Sequence, residues 1–340
     1  MQIIYDYIRC IRDIRRYSDR TVQIYEESLL MFVSIVHHDE AVSDKVLLDS
    51  LNVSELRSYM VTLMEDRGMS PRTVRLHMSA LSSFCTYLVK KDIMKSNPVR
   101  QLTKPKVGKR LPEYYRQEAM AEYFGRVDEE YSVKELDAFI SLIDRKDGME
   151  CDADADDSLK RIYEQRLSRL IISFLYATGV RRSELIKLNL GDVDFGRKVA
   201  KVSGKGNKMR EIPLLDSLCE EILLYLKAVG ALFRKERSLK EPLFVTYSGI
   251  RLYPVYVDRV VKKELGGVKG ITGRKSPHVL RHSLATDLMN SETGLNSIKE
   301  LLGHASLATT QVYTHTSIAR LKDIYKQAHP RAKNGGKNGD

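Results

Sequence analysis

The stretch SPRTVRLHMSALSSFCTYLVK, residues 70–90, decides how the first third of the chain folds. Ser70 is a good helix cap, Pro71 suits a first turn that needs no backbone N–H, and Val74, Met78, Leu81, Cys85 and Leu88 recur at alternating steps of four and three. That period is one face of an α-helix, so the segment is predicted helical with this face buried. The opposite face begins with Arg72 and Arg75, cations placed for solvent or for phosphates. Upstream, Ser18 and Asp19 offer caps for a helix through Val22, Tyr25, Leu29, Phe32, Val33 and Val36; another runs through Leu56, Tyr59, Leu63 and Met64 and stops near Gly68. Downstream, NPVRQLTKPKVGKRL (97–111) mixes prolines, a glycine and cations, Lys104 and Lys106 among them, with little apolar period, and reads as an interdomain linker. The division expected is a helical domain over 1–106, a linker proper at 107–111 and a second domain over 112–340.

A chain of 340 residues has room for two domains, each with its own core. Its hydrophobic fraction of 43% and charged fraction of 30% suit a globular protein and exclude wholesale disorder. No apolar run approaches the ~18–20 residues that a bilayer crossing takes, and the charges scattered through residues 1–16 are unlike a signal peptide. The four cysteines are far apart with no Cys-x-x-Cys, so reduced thiols in a cytoplasmic protein are expected. The net charge of +11 is unevenly spread: residues 66–110 carry 11 basic and 2 acidic side chains, 111–160 carry 6 and 15, and 161–340 carry 32 and 17. Two basic regions flanking an acidic one predict two domains that present cationic faces to one polyanion, most simply nucleic acid.

In the second half, Tyr163, Leu167, Leu170, Ile171 and Phe174 mark a buried helix over 161–178 that stops at Gly179. Short strands at 199–202 and 209–214 flank SGKGNK (203–208), whose glycines and asparagine accept a hairpin's positive φ. Helical patterns resume at 216–229, 255–265, 276–290, 295–302, 307–313 and 318–327, while 146–158, rich in Asp, reads as a solvated loop. In HVLRH (278–282), His278 and Arg281 lie one turn apart; His278 with His282 also has metal-pair spacing, but Arg281 beside them disfavours a cation and no metal is expected.

Five segments, ATGVRRSEL (177–185), SGKGNK (203–208), HVLRH (278–282), LGHASLATTQVYTH (302–315) and AHPRA (328–332), occur in the order and at roughly the spacing of the tyrosine recombinases. The chain resembles the bacterial Xer-type members most, strongly over 161–332 and more weakly over 18–112. The resemblance implies a mainly α fold: a helical N-terminal core-binding, SAM-like domain, then a mostly helical catalytic domain with a small antiparallel sheet. It implies Tyr313 as nucleophile, Arg181 and Arg281 as phosphate-binding arginines, Lys205 as the hairpin lysine, and His278 and His304 as the histidines of the site. Glu184 is expected to hold an arginine or a histidine without acting in catalysis, and Arg72, Arg75, Lys104 and Lys106 to touch DNA.

The same resemblance implies a site-specific recombinase acting on duplex DNA through a 3′-phosphotyrosyl intermediate and a Holliday junction, without cofactor or metal. Four subunits, identical or of two kinds, would assemble on two sites, with an accessory protein as a further partner and no membrane. Residues 317–327 are expected to form a helix exchanged between subunits. A bacterial, nucleoid-associated location in the cytoplasm goes with that role. A type IB topoisomerase shares the residue set, and a DNA-binding regulator without catalysis is the alternative of a different class.

Overall fold

In the computed structural model, residues 1–38, 42–108, 113–128, 133–147, 153–204 and 209–290 are described, and the chain divides into two units, Met1–Arg110 and Leu111–Asp340. The first unit is helical. Helix α1 (Gln2–Arg9) runs into one π turn (Cys10–Ile14); α2 (Asp19–His37), α3 (Asp44–Ser50), α4 (Val53–Glu65) and α5 (Pro71–Lys90) follow, then a 3₁₀ turn (Pro98–Gln101). Short polar side chains start four of these helices: Ser18, Ser43, Asn52 and Ser70 accept from the backbone N–H of Thr21, Val46, Glu55 and Thr73. The five apolar positions that predicted α5 are all buried, and α5 meets Phe32 of α2 and Tyr59 of α4, whose rings pack edge to face at 5.1 Å. Tyr7 of α1 closes the core against Phe84 and Tyr87 of α5, at 5.2 and 5.3 Å.

Helices α1 and α3 go beyond the sequence expectations, since α1 has no side-chain cap and α3 spans seven residues. The start of the expected linker also belongs to the first unit. Asn97 donates to the Ser82 carbonyl at 2.8 Å and to Thr86 Oγ1 at 3.0 Å, and Val99 and Leu102 are buried in the core. A proline and an asparagine read as linker signals here serve to fold the chain back onto α5.

The second unit is built on α8 (Ala153–Thr178), preceded by α6 (Gln117–Asp128) and α7 (Val133–Asp147). After α8 come α9 (Arg182–Lys187), a 3₁₀ turn (Leu190–Asp192), strands β1 (Val193–Asp194), β2 (Val199–Ser203) and β3 (Met209–Pro213), then α10 (Asp216–Phe233), α11 (Pro254–Glu264) and α12 (Pro277–Asn290). The strands form an antiparallel sheet in the order β1-β2-β3, with Val202 opposite Arg210 and Ser203 opposite Met209. The predicted apolar stripe of α8 is fully buried, with α7, α10, α11 and α12 packed around it. Tyr163 of α8 donates to the Val245 carbonyl at 2.9 Å, and Phe174 meets Phe244 edge to face at 5.4 Å.

The expected loop at 146–158 is corrected at both ends: α7 extends through Asp147 and 153–158 already belong to α8, while 148–152 lie outside the described residues. Carboxylates in the first turns of a helix are stabilised by its dipole, so an acidic run before an apolar stripe is also a helix start. Asp156 in addition accepts a 2.8 Å bond from the Tyr247 hydroxyl. Helices α6 and α7 were likewise absent from the sequence expectations, and the helical patterns expected beyond residue 290 lie outside the described residues. Among the described residues, no helix is long and apolar enough to cross a membrane.

Candidate active site

Helix α8 ends where Gly179, at φ +61°, turns the chain in a conformation that suits glycine, and its N–H still reaches the Leu175 carbonyl at 3.0 Å. Two residues later Arg181, in extended backbone, is the N-cap of α9. Its own N–H donates to Glu184 Oε2 at 2.8 Å and its Nη1 donates to Oε1 at 2.8 Å. From β3, Arg210 donates through Nη1 and Nη2 to the same two oxygens, both at 2.9 Å, a two-pronged fork on a carboxylate that is 3% exposed. Burial alone would raise the Glu184 carboxyl; the Arg210 fork and the Arg181 N–H outweigh it and hold the group below its ordinary value.

Helix α12 supplies the other side. Arg281 is buried and donates through Nη1 to the Gly179 carbonyl, tying α12 to the turn that presents Arg181. Burial, then the neighbouring cations Arg181 and Arg210, push the Arg281 guanidinium down to about 10, which leaves it charged at neutral pH. His278, one turn earlier, is exposed; its Nε2 lies 3.1 Å from His282 Nε2, with the rings 4.4 Å apart and steeply inclined. Partial burial, followed by His282, Arg281, Arg274 and Arg181, holds its imidazole below the ordinary 6.5, so His278 is a neutral base at pH 7.

The loop before α12 is pinned by residues from the start of the unit. Tyr115, buried, donates its hydroxyl to the Arg274 carbonyl at 2.9 Å, accepts from the Ser276 N–H at 3.3 Å, and donates its backbone N–H to Ser283 Oγ at 2.7 Å. Glu113 accepts from the Arg274 N–H at 2.8 Å. A Cβ on Gly273, at φ +76°, would sit 3.0 Å from that carboxylate, so glycine fits both the backbone and the space.

Of the residues expected from the sequence, Arg181, Glu184, His278 and Arg281 therefore converge from two distant segments. Lys205, His304 and Tyr313 lie outside the described residues; the strands that flank 204–208 are in place, with Ser203 paired to Met209. Arg72 and Arg75, on the first turns of α5, and Lys104 and Lys106 are all exposed in the first unit. Sequence reasoning missed Arg210. Its signal was its position two residues before Ile212, which is buried in a strand, and this puts the arginine on the inward face. Arg182, next in the chain to Arg181, pairs through Nη1 with Asp258 Oδ2 on α11.

What this arrangement offers chemically is a fixed cationic seat beside a neutral imidazole. Guanidinium forks match the oxygens of a phosphate better than ammonium point charges do, and the bonds to Glu184 and Gly179 hold them before any ligand arrives.

The phage integrase family matches residues 156–320, and the phage integrase N-terminal SAM-like domain matches residues 3–95. Among curated relatives, the chain is 32% identical to tyrosine recombinase XerC of Chlorobaculum parvum over 323 residues, covering 94% of this chain and 91% of the relative. It is 33% identical to XerC of Psychromonas ingrahamii over 333 residues, covering 97% of both, and 30% identical to XerD of Oceanobacillus iheyensis, covering 97% and 98%. Among solved structures, XerH site-specific recombinase bound to a palindromic difH substrate in a post-cleavage complex superposes with a TM-score of 0.56 at 23% identity, covering 89% of this chain and 78% of that one. The Tn1549 transposon integrase in complex with transposon right end DNA gives 0.55 at 18% identity, covering 94% and 98%. At these identities the structures speak for the fold.

Proposed function

The chain belongs to the phage integrase family, the tyrosine recombinases, and from that premise we propose that Tyr313 is its nucleophile, Arg181 and Arg281 its phosphate clamp, Lys205 its general acid, and His278 and His304 the histidines of the site. It is a tyrosine-type site-specific recombinase, an enzyme that cuts and rejoins DNA. The observation that most supports the residue roles is the convergence of Arg181 on Glu184 with Arg281 on the Gly179 carbonyl, which joins two segments about a hundred residues apart in one cationic seat.

In the proposed reaction the Tyr313 hydroxyl attacks the scissile phosphorus of duplex DNA. A phenol ionises near pH ~10, so the proton must be drawn off as the P–O bond forms, and His278, held neutral, is the base. Negative charge builds on the non-bridging oxygens, where Arg181 and Arg281 stabilise it. The bond to the 5′ oxygen breaks and Lys205 protonates that oxygen as it leaves. One phosphodiester has become one 3′-phosphotyrosyl ester, so the bond energy is conserved, and a 5′-hydroxyl from another strand reverses the step without ATP.

Residues 1–106 form the core-binding domain in this reading, 107–111 the linker and 112–340 the catalytic domain, with Arg72, Arg75, Lys104 and Lys106 on DNA phosphates. Four subunits on two duplex sites, in the bacterial cytoplasm, complete strand exchange through a Holliday junction. The test is a nicked suicide duplex that traps the covalent complex. Wild-type protein gives an adduct that survives denaturant, while Tyr313→Phe binds the duplex and gives none; equal adduct from the Phe variant refutes the assignment.

A further inference from the structure

The geometry points to Arg210 as a positioning residue for Arg181: it is the counter-ion of buried Glu184 and so leaves the Arg181 charge for the scissile phosphate. This rests on the reading that Arg181 binds that phosphate.

A carboxylate this deeply buried needs a cation, and two compete for it. Arg210 meets both oxygens with parallel bonds of 2.9 Å, and its side chain is 9% exposed, enclosed with its partner. Arg181 places one side-chain nitrogen on Oε1 while its side chain remains 40% exposed, open to the surface where a phosphate arrives. The division of labour follows from these contacts. Arg210 neutralises Glu184; Glu184 then orients Arg181 through its backbone and one side-chain bond without cancelling its charge.

The position of Arg210 adds a second consequence. It stands on β3 opposite Val202, one register step from the Ser203–Met209 pair. Glu184 thus bonds the arginine that caps α9 and an arginine of β3, and ties the start of α9 to that strand.

Removing Arg210 leaves Glu184 to draw on Arg181, pulling the guanidinium inward and cancelling its charge. Arg210→Met should therefore cleave a suicide duplex on the order of 10–100-fold more slowly, below the full loss of a preorganised donor, while binding the duplex almost as well as wild type. Adding Glu184→Gln removes the unpaired carboxylate, and the double variant should regain about tenfold over Arg210→Met. On a duplex whose scissile phosphate is an uncharged methylphosphonate, the Arg210→Met defect should shrink, because less charge needs clamping there. Arg210→Lys, which keeps the charge without the fork, guards against a variant that fails to fold and should fall between wild type and Met.

A double variant no faster than Arg210→Met, or an equal defect on the charged and uncharged phosphates, overturns the proposal. So does wild-type cleavage by Arg210→Met. Cleavage itself is the readout, so if Tyr313→Phe still formed an adduct the nucleophile assignment would fall while the rescue comparison stayed decisive.

Discussion

Asp287 offers a measurable consequence of how α12 is packed. It faces α8, where the Tyr176 hydroxyl donates to its Oδ2 at 2.8 Å. Burial, with Glu118 of α6 adding to it and the Tyr176 bond opposing, pushes its carboxyl from 3.8 up to about 6. Below pH 3.8 the carboxyl is neutral in both the folded and the unfolded chain, and the site carries no ionic penalty. As pH rises from 3.8 the unfolded chain ionises freely while the native carboxyl stays protonated, so stability is lost over the window from 3.8 to about 6, and above it the native protein ionises the partly buried group too and the loss stays. At ~1.4 kcal/mol per pH unit the span corresponds to roughly 3 kcal/mol, and solvent screening at a partly exposed carboxyl brings this to about 1–2 kcal/mol.

Asp287→Asn keeps an oxygen for Tyr176 and removes the charge. Relative to wild type it should stabilise the second unit by about 1–2 kcal/mol near pH 8, raising its unfolding temperature by roughly 2–8 °C, and should show no such gain near pH 4. Scanning calorimetry of both full-length proteins at the two pH values reads the difference directly. Tyr176→Phe should move the window upward, since it deletes the bond that lowers the carboxyl. An Asn variant with the same shift at both pH values, or less stable than wild type at the higher one, refutes the assignment of the penalty to Asp287.

Arg281→Lys keeps a charge but loses the fork and the bond to Gly179; cleavage on the suicide duplex should slow on the order of 10²–10³-fold while duplex affinity changes little, and wild-type cleavage would count against the clamp. The acid limb of the kcat/KM profile for cleavage should fall below pH 6.5, because His278, the proposed base, would have to be neutral to act and its surroundings depress its ionisation; His278→Ala should abolish that limb. Arg72→Ala and Arg75→Ala should each weaken binding evenly across DNA sequences and reduce the slope of log affinity against log salt by about 1, as titrations at several ionic strengths would show. Unchanged slopes would remove α5 from the DNA contact surface.

The helices with a cap and a sustained apolar period were legible in the sequence: Ser70 with the stripe from Val74 to Leu88 specifies α5, and Tyr163 to Phe174 specifies the buried part of α8, because local hydrogen bonding and one-sided burial act on neighbours in the chain. The pairing of β2 with β3 was legible for the same reason, since two short apolar runs flank SGKGNK. The motifs that carry Arg181, Glu184, His278 and Arg281, the residues proposed for the site, were legible in the sequence. What no local pattern carried was the start of α8, where an acidic run served as a helix beginning, and the docking of the 98–102 segment through Asn97 onto α5. Nor did any local pattern carry the choice of Arg210 as the partner of Glu184. Glu184 lies 26 residues from Arg210 and Gly179 lies 102 from Arg281. Such pairings exist once the sheet register and the packing of α12 on α8 bring the groups together, and a buried carboxylate then stabilises whichever cation the fold delivers to it.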